Sequence, residues 1–104
     1  MSVVNVSLTK ASAPITFTGV AVADETLIIG DKTYTFKAAP SAAYEVDIKT
    51  DETTQASAIA SAINLDGTAG AYGASHVEAN PYVEASSAAG VITITARHGG
   101  TQAN

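Results

Sequence analysis

The residues whose side chains could do chemistry are few, and their spacing does not favour a reaction. The chain has two histidines, His76 and His98, and no cysteine. His76 stands two positions before Glu78, so on a strand both side chains would share one face and could share a metal ion. Two ligands are too few for a structural zinc site. We therefore predict no metal site, and we expect both histidines at the surface, at strand ends.

Other catalytic arrangements are equally absent from the sequence. No serine lies in a G-x-S-x-G elbow, and neither histidine has the setting of a positioned base. The carboxylate pairs Asp24-Glu25 and Asp51-Glu52 are typical of a turn and a helix cap rather than of an acid/base pair. The glycine-rich run Gly67–Ser75 lacks the lysine of a P-loop and the G-x-G-x-x-G spacing. The sequence predicts no catalytic residue, no cofactor and no enzyme.

The composition excludes several classes of partner. With 5 Lys and Arg against 10 Asp and Glu, the chain of 104 residues has a formal net charge of −5. An acidic chain is a poor ligand for a phosphate backbone, so we expect no nucleic acid partner. No run approaches the roughly 18 apolar residues that span a bilayer, and the first residues lack the basic start of a signal peptide. We expect a protein made in the cytoplasm, with no membrane partner.

The elements that must position these side chains begin with a hairpin. Two runs rich in β-formers, Thr26–Ile29 and Thr33–Phe36, flank a tight turn at Gly30-Asp31-Lys32. Alternation of apolar and polar residues predicts further short strands. They lie around Ile15 and Phe17, at Tyr44–Ile48, at Val77, at Tyr82–Ala85 and at Val91–Ala96, with a connection over Ser86–Gly90.

One amphipathic helix is predicted from Asp51 to Leu65. Asp51 suits the N-cap, because a short polar side chain there accepts a hydrogen bond from the first turn. Apolar residues then recur at helical spacing, at Ala56, Ile59, Ala60 and Ile63. A helix of about 14 residues is marginal in isolation, so its apolar stripe must pack on a sheet.

Together these elements predict an α+β fold. Consecutive strands with short connections favour mainly antiparallel pairing, so we expect a sandwich-like sheet of about six short strands with the helix packed on it. We assign residues 14–104 to a single domain and residues 1–13 to an N-terminal arm or edge strand. Because much of the hydrophobic content is alanine, the core is thin. Contacts with neighbouring subunits would add stability.

Two places are predicted to contact other proteins. In the N-terminal segment, apolar residues alternate with polar ones, and an arm that becomes ordered against a neighbour is one interpretation. Tyr72, in the glycine-rich run, either forms an exposed anchor or folds back on the sheet, and the pattern leaves both alternatives open. The candidate interface residues are Val3, Val4, Val6, Leu8, Tyr72 and Tyr82.

Three blocks of the sequence, in order, resemble a small structural domain recurrent in virion proteins of tailed bacteriophages. In that group, a hairpin similar to INGKTYTF precedes an alanine-rich helix ending in AIN, and a segment similar to VTLTAKTAGTAGN follows. The corresponding blocks here are Ile29–Phe36, Ala56–Asn64 and Val91–Asn104. Two features depart from the pattern: Gly30-Asp31 replaces the Asn-Gly turn, and the sequence stops at Asn104 where the pattern usually continues into another strand. Either a neighbouring subunit completes this end, or the sequence is a fragment.

The resemblance implies a structural role, since the group has no catalytic residues to transfer. It predicts a head decoration or cement protein of the virion, bound to the major capsid protein and to copies of itself as a homo-oligomer. The alternative is a tail or fibre component, or a module that binds a host surface. A carbohydrate-binding module would need exposed aromatic rings in a row, and only Tyr44, Tyr72 and Tyr82 are available.

Overall fold

The computed structural model describes residues 4–6, 12–16, 21–29, 32–67 and 70–96. In order along the chain, the strands are β1 (Val4–Val6), β2 (Ser12–Thr16), β3 (Thr26–Ile29), β4 (Lys32–Lys37), β5 (Glu45–Asp47), β6 (Val83–Ala88) and β7 (Val91–Ala96). The helix α1 spans Glu52–Asn64, between β5 and β6. The predicted α+β fold is confirmed, with seven strands in the described residues rather than about six.

The strands form two sheets. The first has the order β1-β3-β4-β5, and the second has the order β2-β7-β6. Three of the five pairings are antiparallel: β3 with β4, β2 with β7, and β6 with β7. The pairings of β1 with β3 and of β4 with β5 are parallel, because in each case the chain crosses over before it returns to the sheet.

The predicted hairpin is confirmed. β3 and β4 pair antiparallel, and Ile29 lies opposite Lys32. The predicted turn residues Gly30 and Asp31 lie outside what the structure describes. The second hairpin differs from the prediction, because β6 continues to Ala88 and pairs there with Val91. Its connection is therefore only Ala89 and Gly90, with positive φ angles of 51° and 83°. This geometry is that of a type I′ turn, whose backbone matches the twist of the strands.

The helix begins and ends close to the predicted residues. Asp51 is the N-cap, and its Oδ1 accepts the backbone N–H of Thr54 at 2.8 Å. That hydrogen bond, with the Thr54 hydroxyl, holds the pKa of the Asp51 carboxyl below its usual value. At the other end Leu65 adopts the left-handed conformation, and its N–H donates to the carbonyl of Ser61.

One core joins the helix to both sheets. The largest fully buried apolar side chains come from the first sheet, the helix and β7; they are Leu27, Ile29, Tyr34, Phe36, Val46, Ile59, Ile63, Ile92 and Ile94. Six alanines, four of them on the helix, complete the cluster between these side chains. Small side chains let α1 approach β6 closely, but they bury little area each, as the composition predicted.

One sequence prediction is corrected here. Val77 lies outside any strand and is 76% exposed. The stretch around it is held by other means, because the N–H of Asn80 donates to the carbonyl of Ile63 at the end of α1. The segment predicted as an arm or edge strand, residues 1–13, contains β1 and the first two residues of β2. The side chains of Val4 and Val6 and all of Val3, Leu8 and His98 lie outside what the structure describes.

Candidate functional site

The main concentration of functional side chains surrounds His76. This residue is 2% exposed, so the prediction of a surface histidine is wrong. Its Nδ1 accepts the backbone N–H of Tyr44 at 3.0 Å, and its Nε2 lies 2.8 Å from the carbonyl oxygen of Ala62. A carbonyl oxygen only accepts, so the proton is on Nε2 and the imidazole is neutral. The ring therefore joins the entry to β5 with the last turns of α1.

Three tyrosine rings enclose this imidazole in a cluster that we call the Tyr–His cluster, formed by Tyr34, Tyr44, Tyr72 and His76. The centroids of Tyr44 and Tyr72 lie 4.9 and 5.2 Å from that of His76, and the centroid of Tyr34 lies at 6.2 Å. All three contacts are edge-to-face, the favoured geometry for aromatic pairs. The cluster is a packed assembly, and its imidazole has both nitrogens occupied.

The rim of the Tyr–His cluster carries opposite charges. The Tyr44 hydroxyl donates to Oε1 of Glu78, and the Lys32 ammonium lies 3.9 Å from the same oxygen. The Lys32 nitrogen also lies 5.6 Å from the centroid of the Tyr44 ring. His76 and Glu78, which on a strand could have shared a metal ion, thus bond to different groups: His76 to backbone and Glu78 to side chains. The structure brings them to one region without making them neighbours on a strand.

A second buried polar residue, Gln55, acts in the same way on other segments. Its side chain is fully buried on α1. Oε1 accepts the N–H groups of Ala21 and Lys49, at 3.3 and 3.0 Å, while Nε2 donates to the carbonyl of Asp47 at 2.9 Å. One amide therefore ties the segment before β3 and the segment after β5 to the helix. The sequence analysis missed this role because a glutamine on an amphipathic helix is ordinarily exposed.

Two asparagines bind the outer side of β6. Oδ1 of the buried Asn80 accepts the N–H groups of Tyr82 and Val83 at 2.8 and 3.2 Å, and its Nδ2 donates to the Tyr34 hydroxyl. Asn64, at the end of α1, bonds both backbone groups of Ala85: its Oδ1 accepts the N–H at 2.8 Å and its Nδ2 donates to the carbonyl at 2.6 Å. The side-chain amide thus pairs with β6 as a neighbouring strand would.

A close backbone approach fixes the glycine-rich run beside β5. Gly73 donates its N–H to the carbonyl of Glu45 at 3.0 Å, and a Cβ atom at Gly73 would lie 2.7 Å from the carbonyl oxygen of Ala42. Only glycine fits there without a shift of the backbone. The repeated glycines of the sequence signal this approach, but the pattern does not say which of them is required.

The described interface candidates have the following positions. Tyr72 is half-buried, its ring packs on His76 and its hydroxyl accepts the N–H of Gly67 at 2.8 Å. The structure thus favours the alternative in which Tyr72 folds back on the sheet. Tyr82 is also half-buried against the core. The contact role of both tyrosines remains a prediction.

Surface carboxylates hold local backbone rather than face a ligand. Oε1 of Glu45 accepts the N–H groups of Ser41 and Ala42, at 2.9 and 3.0 Å, and these bonds hold the pKa of the Glu45 carboxyl below its usual value. The hydrogen bond from Lys37 to Asp24 raises the pKa of that lysine. A polar groove beside α1 has a single ionisable lining residue; it is lined by Asn64, Glu84, Ala85, Ser86 and Thr95.

The described residues contain neither a metal-ligand cluster nor a membrane-spanning helix. Among these, no three His, Cys, Asp or Glu side chains lie together as a metal site would require. The helix in this part of the chain is neither long nor apolar enough to cross a membrane.

Comparison with known proteins does not place the chain in a family. No protein-family model, no curated protein and no solved structure matches it.

Proposed function

We propose that this protein is a structural component of a tailed-bacteriophage virion, most simply a decoration protein that binds the capsid lattice and braces adjacent shell subunits. The partners are the major capsid protein and further copies of the chain. The role is passive and requires no catalysis, because many copies bury surface across subunit junctions and resist their separation.

The observation that carries the proposal is the use of the functional side chains as internal braces. His76 has both ring nitrogens bonded to backbone groups, and Gln55 uses its amide on three others. A general base needs a free nitrogen directed at a substrate, and the described histidine offers none. The three blocks that resemble the phage domain supply the particular role.

The test is quantitative mass spectrometry of purified particles from the phage that encodes the chain. A decoration protein should be present in hundreds of copies, in proportion to the major shell protein. A handful of copies, or immunogold label on the tail alone, would replace the head assignment with a tail component. Absence from the particle would overturn the proposal altogether.

A truncation tests the N-terminal contact on purified heads. Because β2 begins at Ser12, removing residues 1–11 deletes β1 and leaves β2 whole. We expect this variant to lose capsid binding while it keeps its helical signal in circular dichroism. Unchanged occupancy on the heads would exclude the N-terminal segment as the contact.

The carbohydrate-binding alternative finds less support in the geometry. Tyr44 and Tyr72 pack edge-on against His76, and all three candidate rings are half-buried. A sugar platform needs open ring faces. A glycan array with a strong hit that is lost in Tyr82→Ala would nevertheless restore this alternative.

A further inference from the structure

The four outer edges of the two sheets differ in how well they are guarded. An unguarded edge presents N–H and C=O groups that can pair with a strand of another chain. Natural sheets block such edges with proline, charge, bulges or a covering segment. Whether an edge can pair therefore depends on what occupies the backbone groups that point away from the sheet.

In the second sheet, the edge at β6 is blocked by side chains. The outward-pointing groups of Ala85 are bonded to Asn64, and the N–H of Val83 is bonded to Asn80. A strand that approached β6 here would have to displace both amides. This edge is closed over Val83–Ala85.

The opposite edge of the second sheet is blunted by proline. In antiparallel pairs, backbone groups alternate between the two sides of a strand. The backbone N–H and C=O of Ala85 point away from β7, so those of its partner Ile94 point away from β6, towards β2. By alternation, the backbone groups of Thr93 point towards β6. The backbone groups of Pro14, which lies opposite Thr93, therefore point away from β7, to the outer side of β2. Since proline has no N–H, the centre of this edge lacks a donor.

In the first sheet, the edge at β5 is covered by the glycine-rich run. The N–H of Asp47 donates to the carbonyl of Ala71 at 2.9 Å, and Gly73 donates to Glu45 at 3.0 Å. A bridge between Val46 and Tyr72 completes this short ladder. The third edge is therefore occupied by the chain itself.

The remaining edge is the outer side of β1. The N–H of Phe36 donates to the carbonyl of Glu25, so the backbone groups of Glu25 point towards β4. Because these groups alternate along a strand, those of Ile28 point towards β1. In the parallel register, Ile28 lies opposite Asn5 and bonds to the residues on either side of it. The N–H and C=O of Asn5 therefore point away from the sheet. Among the described residues, no strand pairs with that side of β1.

We propose that β1 pairs, antiparallel, with β1 of a second copy of this chain, which joins two four-stranded sheets into one of eight strands. The two-fold axis passes between Asn5 and its counterpart, which exchange both backbone hydrogen bonds. A second copy is the occupant that the sequence fits. The first nine residues have no charged side chain in a chain of net charge −5, so self-pairing places no like-charged side chains opposite each other.

This pairing goes beyond the virion role and does not depend on it. Two backbone hydrogen bonds and a short strand overlap make a weak contact for free protein in dilute solution. Copies held side by side would pair far more readily, because a high effective concentration replaces the diffusional step. We therefore expect self-association of the free protein at high concentration only.

The absence of native cysteine provides a clean test. In a hydrogen-bonded antiparallel pair, the Cα atoms are about 5.5 Å apart, which is within disulfide range. Under mild oxidation, Asn5→Cys should form a covalent dimer at least tenfold faster than Ser86→Cys, an exposed position on the blocked edge strand β6. Equal rates for the two variants would overturn the proposal.

A second pair of variants tests the hydrogen bonds themselves. Asn5→Pro removes the outward donor without removing a bond to β3, whereas Asn5→Ala keeps the backbone intact. In sedimentation equilibrium, Asn5→Pro should lose the concentration-dependent dimer and Asn5→Ala should retain it. Dimerisation of Asn5→Pro at the wild-type level, or cross-linking of Asn5→Cys only when another protein is added, would exclude self-pairing through β1.

Discussion

Two connections of this molecule, the turn between β6 and β7 and the stretch from Gly70 to Asn80, are held in place by different kinds of interaction. The turn between β6 and β7 is two residues, Ala89 and Gly90, and the ladder on either side holds it in register. The stretch from Gly70 to Asn80 has no strand of its own, and it is held by the imidazole of His76 and the close approach of Gly73. The first connection depends on regular backbone pairing, and the second depends on individual residues.

The comparison shows where single substitutions should matter most. A ladder spreads its energy over many backbone hydrogen bonds, so substitutions at exposed positions of β6 and of its turn to β7 should be tolerated. A segment that depends on a buried ring loses two attachments when that ring is removed, since the backbone groups bonded to the ring are left without partners.

The largest effect is expected from His76→Ala. The change removes a buried ring and leaves the N–H of Tyr44 and the carbonyl of Ala62 without their partner. We expect a loss of about 4 kcal/mol in the free energy of unfolding, measured in urea. Val77→Ala, at the neighbouring exposed position, is the control and should change it by less than about 0.5 kcal/mol. Equal effects in both variants would contradict the role of His76.

Gly73→Ala should have the next largest effect. The added Cβ would meet backbone atoms of Ser41 and Ala42 at 2.7 Å, so we expect a loss of about 2–3 kcal/mol. Gly70→Ala is the control that tests the cost of a positive φ without a steric clash. Gly70 has a φ of +81°, but a Cβ atom added there would meet nothing within 4 Å. That variant should lose only about 1 kcal/mol. A larger loss at Gly70 than at Gly73 would show that the close approach is not decisive.

A stabilising change is expected in the regular hairpin. Ala89 has a φ of 51°, which costs free energy for most L-residues and less for Asn or Asp. Asn-Gly is the preferred pair of a type I′ turn, so Ala89→Asn should raise the free energy of unfolding by about 0.5–1 kcal/mol. Ala88→Asn, one residue earlier in β6, should not stabilise. Thermal unfolding of the two variants side by side decides between a turn effect and a general effect of asparagine.

The smallest expected effect is a change in pH dependence at Glu45. The N–H groups of Ser41 and Ala42 lower the pKa of this carboxyl in the folded chain below its ordinary value of 4.5. Protonation therefore favours the unfolded chain, and this contribution is present above pH 4.5 and lost as the pH falls below it. Glu45→Gln should be less stable than wild type at pH 7, and the difference should shrink towards pH 3. A constant difference in urea melts would exclude the carboxylate as the cause.

The sequence predicted the regular region well and the irregular one poorly, for a physical reason. The β3–β4 hairpin and the helix are encoded by local spacing and by caps such as Asp51, which act within a few residues. His76 bonds to backbone groups 14 and 32 residues away, and Gln55 bonds to one that is 34 residues away. From the local sequence, both residues would be expected at the surface, because the residues around them do not indicate a backbone partner that is distant in the chain.

The same distinction applies to the candidate site. Sequence spacing placed His76 near Glu78, but it could not show that the imidazole would be buried among three tyrosine rings from separate segments. Tyr72 could be placed in a glycine-rich run, whereas its attachment to β5 required the structure. The contact residues of the N-terminal segment remain predictions from alternation alone.

Gln55 has a consequence for how the molecule opens. Its amide bonds Ala21, Asp47 and Lys49 at once, so neither flanking segment can detach without exposing a buried side chain of the helix. Local fraying at this point is thereby coupled to separation of the helix from the sheets. In native-state hydrogen exchange, the amides of Ala21 and Lys49 should exchange together, at rates set by whole-domain unfolding and not by motion of either loop.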